Sequence, residues 1–201
     1  MSDLSVHINE DRNTKTKIFM VAARLIAEKG YNGVSMREIS EKSEVSKPTI
    51  YYYFESKEGI YKELLNVGLN HVIEILEQIQ KLNIPAKTKL VNLIKTLFHQ
   101  SFEYPEFVKF LLTLSNFTEE IPFRQFFQQQ ISRNRRILIE IIQKGIDSGE
   151  FGASAKPGLA AEIIAGVISH FLWQQLNSKT AILSDQLAEE IIEILFKGLN
   201  E

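Results

Sequence analysis

Cysteine is absent from this 201-residue chain, tryptophan occurs once, and only five prolines and ten glycines punctuate it. Without cysteine there is no disulfide framework and no thiolate metal site, and the chain suits a reducing compartment such as the cytosol. The N-terminal "MSDLSVHINEDRNTK" is polar and carries acids, unlike a signal peptide. The most apolar stretch, 160–173, contains Glu162, Ser169 and His170 and falls short of the ~20 residues that cross a bilayer, so no membrane partner is expected. An excess of one charge is missing too. The net charge is −2, and residues 1–57 carry 9 basic and 8 acidic side chains against 14 and 17 in the remainder. Affinity for nucleic acid would therefore have to come from local placement rather than bulk charge. His7, His71, His99 and His170 show no metal-ligand spacing with one another or with a carboxylate cluster, so neither a metal nor a cofactor is expected.

Alternating strand patterns are also lacking, whereas helical periodicity runs almost throughout, which predicts an all-α protein. Ile18, Ala22, Leu25 and Ile26 form a stripe that ends at Gly30, a suitable glycine just past a helix. Ser35 followed by Glu38 has the spacing of a capping box for a short helix ending near Ser43. Ser46 caps a second short helix with Pro48 tolerated in its first turn, and Ser56 caps a long one over 57–82. Further helices are expected over 86–104, 105–116, 122–148, 157–178 and 184–199, set off by prolines and by "GIDSGEFG". Residues 1–13 read as a flexible arm, 14–57 as a compact helix-turn-helix unit, and 58–201 as a larger helical domain.

The stretch "SKPTIYYYFESKEGIY" poses the functional question. Successive helical residues are ~100° apart, so three adjacent tyrosines cannot all face a core. With Ile50 and Phe54 as the buried pair, Tyr51 and Tyr53 flank the stripe and Tyr52 points away from it. A tyrosine so placed presents a phenolic donor on a rigid stalk, which suits phosphate oxygens. Lys57, a cation in the first turn of a helix, opposes the macrodipole unless an anion sits there. Arg37 and Lys47 stand equally early in their helices, and Ser46 and Thr49 add hydroxyls. Aromatic clusters on short helices usually belong to a core or an interface; it is the joint pattern that points to nucleic acid.

Residues 22–61, "AARLIAEKGYNGVSMREISEKSEVSKPTIYYYFESKEGIY", closely resemble the DNA-binding segment of the TetR family of bacterial ligand-responsive repressors. The resemblance covers 18–57, about a fifth of the chain. It departs from the family pattern at Glu44 and Pro48, where glycine is frequent. It implies a recognition helix from Ser46 to Phe54 in the major groove of a double-stranded operator. Ser35, Ser46, Lys47, Pro48, Thr49, Tyr51, Tyr52, Tyr53 and Lys57 would then lie at phosphates or bases, and Arg37 would reach a base edge. It also implies a homodimer in the bacterial cytoplasm, a pseudo-palindromic site, and a repressor released by a small effector.

Beyond residue 60 the resemblance is architectural only. The expected dimer face comprises Ile163, Val167 and Phe171 around Gly166, with Ile191, Ile194 and Leu195. Eight of thirteen phenylalanines fall in 98–127. An effector pocket is expected at Phe98, Phe102, Phe110 and Phe127, with His99, Asn116, His170 and Gln174 as polar tips. Most of those phenylalanines would be ordinary core. Such a lining favours an apolar or amphipathic molecule, for example an acyl chain with a small polar head or a hydrophobic drug. Two other functions compete with this one. An enzyme would need a nucleophile elbow, a phosphate loop or convergent acids, and none is present. A helical protein-interaction module without DNA binding would have no use for Lys57 at a helix start or for an exposed Tyr52.

Overall fold

The structure, a computed structural model, describes residues 3–114 and 124–197. Among them are nine helices and no strand: α1 (Asp3–Lys29), α2 (Met36–Ser43), α3 (Lys47–Phe54), α4 (Lys57–Lys81), α5 (Ala86–Glu103), α6 (Pro105–Leu114), α7 (Arg124–Asp147), α8 (Pro157–Asn177) and α9 (Asp185–Lys197). The expected ends are met to within a residue or two wherever they fall inside the described stretches. The N-terminal arm is different, because α1 already begins at Asp3. No proline or glycine lies between Asp3 and Lys29 to interrupt it. No helix among the described residues is long and apolar enough to cross a membrane.

The chain forms two compact units, residues 1–68 with 106–124 and residues 69–105 with 125–201, so α6 groups with the N-terminal helices and α4 contributes to both units. The units are thus drawn differently from a simple cut at residue 57.

In the first unit α1 packs on α2 and α3, and α2 packs on α3. Ile18, Ala22, Ile26, Ile39 and Ile50 are fully buried between them. Gly30 (φ 72°) ends α1, its N–H donating to the Ile26 carbonyl. Phe107 and Phe110 of α6 pack against Phe19 and Tyr61. The turn between α2 and α3 is held by the Ser40 hydroxyl, which donates to the Val45 carbonyl (2.7 Å).

Glu44 in that turn adopts φ 53°, ψ 29°, the left-handed conformation. A side chain there costs ~1–2 kcal/mol that glycine avoids. Its carboxylate partly compensates by accepting from exposed Lys17 (2.9 Å), a bond that also holds the carboxyl below its ordinary pKa. Exposed pairs of this kind contribute ~0–1 kcal/mol. Glu44→Gly and Glu44→Ala both lose the pair, and only the first relieves the backbone. The glycine variant should therefore be more stable than the alanine variant by ~1 kcal/mol in denaturant titration; equal midpoints would refute the strain.

In the second unit α5 packs on α8 and α9. Pro85 cannot cap α5 with a side chain, so the Glu150 carboxylate does so from a distance, accepting from the Ala86 and Lys87 N–H groups at 3.0 and 3.1 Å. Beside it the Phe151 ring stacks on Phe196 (3.8 Å) and lies over Gly145. A Cβ at Gly145 would stand 2.2 Å from that ring, so only glycine admits it.

Candidate nucleic-acid interface

The presentation of α3 follows from its caps and its two buried side chains. The Ser35 hydroxyl accepts from the Glu38 N–H (3.1 Å) and starts α2. The reciprocal half of the capping box is not used, because the Glu38 carboxylate accepts from Lys29 instead. Ser46 caps α3 by accepting from the Thr49 N–H (3.3 Å), with its hydroxyl 2.7 Å from that of Thr49. Ser56 caps α4 through the Gly59 N–H (2.9 Å). Ile50 and Phe54 are buried, which fixes the rotation of α3 about its axis. Lys47 and Pro48 are then exposed and Thr49 and Tyr53 half-buried, while Tyr51 is 48% and Tyr52 79% exposed. Tyr52 meets Tyr53 edge-on with centroids 5.2 Å apart, so the outermost ring is propped by its neighbour. Ser35, Arg37, Ser46 and Lys47 are exposed alongside.

Two basic groups are engaged in ways the sequence did not suggest. The Arg37 guanidinium donates to Glu41 one turn on (2.7 Å), an exposed pair that a base edge could displace at little cost. The Lys57 ammonium donates to the carbonyls of Tyr31 and Val34, each at 2.9 Å, and lies 4.2 Å from the centre of the Tyr31 ring. Lys57 is therefore first of all a pin. It ties the start of α4 to the turn that launches α2. An ammonium has three donors, so one remains after the two carbonyls are served.

Under this surface Tyr61 is fully buried, between Tyr31 (4.8 Å) and Phe110 (6.0 Å). Its hydroxyl has no hydrogen-bond partner among the described residues, and burial, with a smaller contribution from Tyr31, pushes its pKa far above the ordinary phenol value.

Residues 18–64 match the family model described as bacterial regulatory proteins, tetR family. These residues form a TetR-family DNA-binding domain. Over 195 residues it is 26% identical to a fatty acid metabolism regulator protein of Bacillus subtilis, covering 96% of this chain and 99% of that one. Among solved structures, a putative fatty acid metabolism regulator of Clostridium perfringens superposes with a TM-score of 0.78 at 25% identity, covering 90% and 97% of the two chains. The regulator FadR of Bacillus subtilis in complex with stearoyl-CoA gives 0.69 at 25% identity, covering 91% and 98%. The chain is a DNA-binding transcriptional regulator whose helix-turn-helix is built by α2 and α3.

Elsewhere in the protein the structure redistributes the residues chosen from the sequence. Phe98 and Phe110 are fully buried and belong to different compact units. Phe127 is half-buried, and Phe102 is 51% exposed. His99 is exposed and bonds Asp185 of α9 at 2.9 Å, holding that carboxyl below its ordinary pKa. His170 and Gln174 lie on the exposed side of α8, and Asn116 lies outside the described residues. A count of aromatic residues cannot separate such positions, because burial depends on which helix face each one occupies.

The dimer residues divide as well. Ile163 is exposed, Val167, Phe171 and Leu195 are half-buried, and Ile194 is 71% exposed. Ile191 is the exception. It is only 6% exposed and packs into its own chain's core rather than standing on a surface. The sequence reading missed Leu159, exposed one turn before Ile163, so that residues 159, 163, 167 and 171 continue one stripe at i, i+4 spacing. A Cβ at Gly166, beside this stripe, would meet no atom within 4 Å.

Proposed function

We propose that the protein is a homodimeric transcriptional repressor of the bacterial cytoplasm. It binds a pseudo-palindromic operator through α3 and is released by a fatty acyl compound, in the first place an acyl-coenzyme A. The observation that carries the DNA-binding part is the outward face of α3, where Lys47, Tyr51 and Tyr52 stand exposed, with Thr49 half-buried beside them, over a buried Ile50–Phe54 pair. Ser35, Ser46, Tyr53 and the third donor of Lys57 complete a phosphate-binding rim, Pro48 sits against the backbone, and Arg37 reads a base. A helical interaction module would have no need of this basic and hydroxylated face.

The effector class is supported by full-length similarity to a fatty acid metabolism regulator and to a FadR structure that holds stearoyl-CoA. Continuity of α4 offers the coupling. Its 25 residues form one helix shared by both compact units, so a displacement of the Leu69–Lys81 portion is carried to Lys57 and the α2 turn.

A mobility-shift titration tests the reading. The wild-type protein should retard DNA fragments selected from the genome with affinity that falls steeply with salt, and stearoyl-coenzyme A should release them where coenzyme A alone does not. Failure to select any sequence would overturn the DNA-binding part. Selection without release by acyl compounds would overturn the effector part.

A further inference from the structure

Asn134 lies in "SRNRR" of α7, where it is half-buried while Ser132, Arg133, Arg135 and Arg136 are exposed. Arg133 donates to Glu77 of α4, and Arg135 donates to Glu162 of α8 at 2.7 Å. Those two residues are ~200° apart on the helix, and Asn134 lies midway at ~100° from each. Its side chain therefore projects into the angle between α4 and α8. On the same wheel Ile141 falls within ~20° of Asn134, and Ile137 and Leu138 within ~60°; all three are buried. Phe127, two turns earlier, shares the face. The centre of the apolar inner face of α7 is thus occupied by an amide.

That amide is not satisfied within the chain. The Oδ1 atom of Asn134 is buried and has no hydrogen-bond partner among the described residues. A buried carbonyl without a donor is destabilising, so an apolar residue would serve the fold better. We propose that Asn134 is the polar recognition point of the effector site, and that its ligand is an amphipathic molecule with an amide N–H or hydroxyl donor along an otherwise apolar body. This deepens the acyl-effector reading and rests on it. The apolar neighbours take the chain, and the donor is read by the Asn134 oxygen. An acyl-coenzyme A carries amide and hydroxyl donors beyond its thioester, whereas a fatty acid anion carries none.

The test compares wild type with Asn134→Leu and Asn134→Ala in thermal unfolding and in operator release by two probes, stearoyl-coenzyme A and stearate. Asn134→Leu should bind the operator as wild type does and raise the ligand-free melting temperature by ~2–4 °C, because an unpaired polar atom is gone. Its half-release concentration for stearoyl-coenzyme A should rise ~10-fold, and the advantage of that probe over stearate should shrink. If leucine does not fit, Asn134→Ala should show the same loss of sensing. An unchanged release curve in both variants would overturn the proposal. So would a fall in melting temperature for Asn134→Leu, since the amide would then be a structural bonder. If neither probe releases the wild-type protein, the acyl reading fails by itself, and the melting temperature of Asn134→Leu still decides whether the amide is held at the expense of stability.

Discussion

Lys57→Ala should weaken operator binding and destabilise the protein together, with a melting temperature lower by ~4 °C or more. The ammonium serves two carbonyls, those of Tyr31 and Val34, and faces the Tyr31 ring. Charge-assisted hydrogen bonds contribute ~1.5–3 kcal/mol, and a cation over an aromatic ring adds ~0.5–1 kcal/mol. Their loss loosens the turn that sets α2, on which α3 packs. The third donor supplies the DNA term. If it holds a phosphate, the logarithmic salt slope of operator binding should fall by ~1, and all sequences should be affected about equally. Tyr52→Phe is the control that separates the terms. Tyr52 is almost free of the core, so removing its hydroxyl should lower affinity without moving the melting temperature. A Lys57→Ala variant with wild-type stability would contradict the pin; one with an unchanged salt slope would contradict the phosphate contact.

The contrast between Lys57 and Tyr52 marks the limit of what the sequence discloses. Features set within one or two helical turns were legible. Ser35, Ser46 and Ser56 cap as expected because a cap needs only an N–H two or three residues on. The outward fan of the tyrosines followed from the ~100° rotation per residue once Ile50 and Phe54 were assigned to the core. Partners remote in sequence were not legible. The carbonyls that hold Lys57 are 26 and 23 positions away, and the carboxylate that holds His99 is 86 away. Periodicity gives the face of a residue but not the element opposite it. Glu150 shows the same limit: it reads as a loop acid and acts as the cap of α5, 64 positions earlier in the chain. Asn134 was hidden for another reason. Its arginine neighbours suggest solvent, yet both have their heads drawn aside to carboxylates on flanking helices, which leaves the residue between them facing inward. Glu44 is the converse case. A departure from the family pattern, visible as a glycine replaced, coincides with a left-handed backbone that only the structure reveals.

The proposed dimer face is where the largest loss of function is expected from a single exposed residue. Ile194 stands 71% exposed near the end of α9, although a branched apolar side chain gains ~1.5–3 kcal/mol on full burial. Leu159, Ile163, Val167 and Phe171 line the outer side of α8, opposite the residues that α8 buries in its own core. Two such helices from each protomer would make a self-complementary four-helix contact. Ile194→Glu would place an unpaired carboxylate in that contact, next to its symmetry mate or to apolar surface, at a cost of several kcal/mol. The variant should remain helical and sediment as a monomer at micromolar concentration. A monomer engages one half-site only, so operator affinity should fall by ~10³-fold or more, while its binding to non-specific DNA falls far less. Ile191→Glu would not serve, because Ile191 is in the core and the charge would unfold the protomer before it informed on association. Ile163→Glu is the independent check, as it lies on α8 and is exposed. It should reproduce the monomer and the loss of operator binding. If the wild-type protein is itself a monomer at micromolar concentration, or if both glutamate variants sediment as dimers, the partner does not sit on α8 and α9, and the exposed stripe must be covered by something other than a second copy.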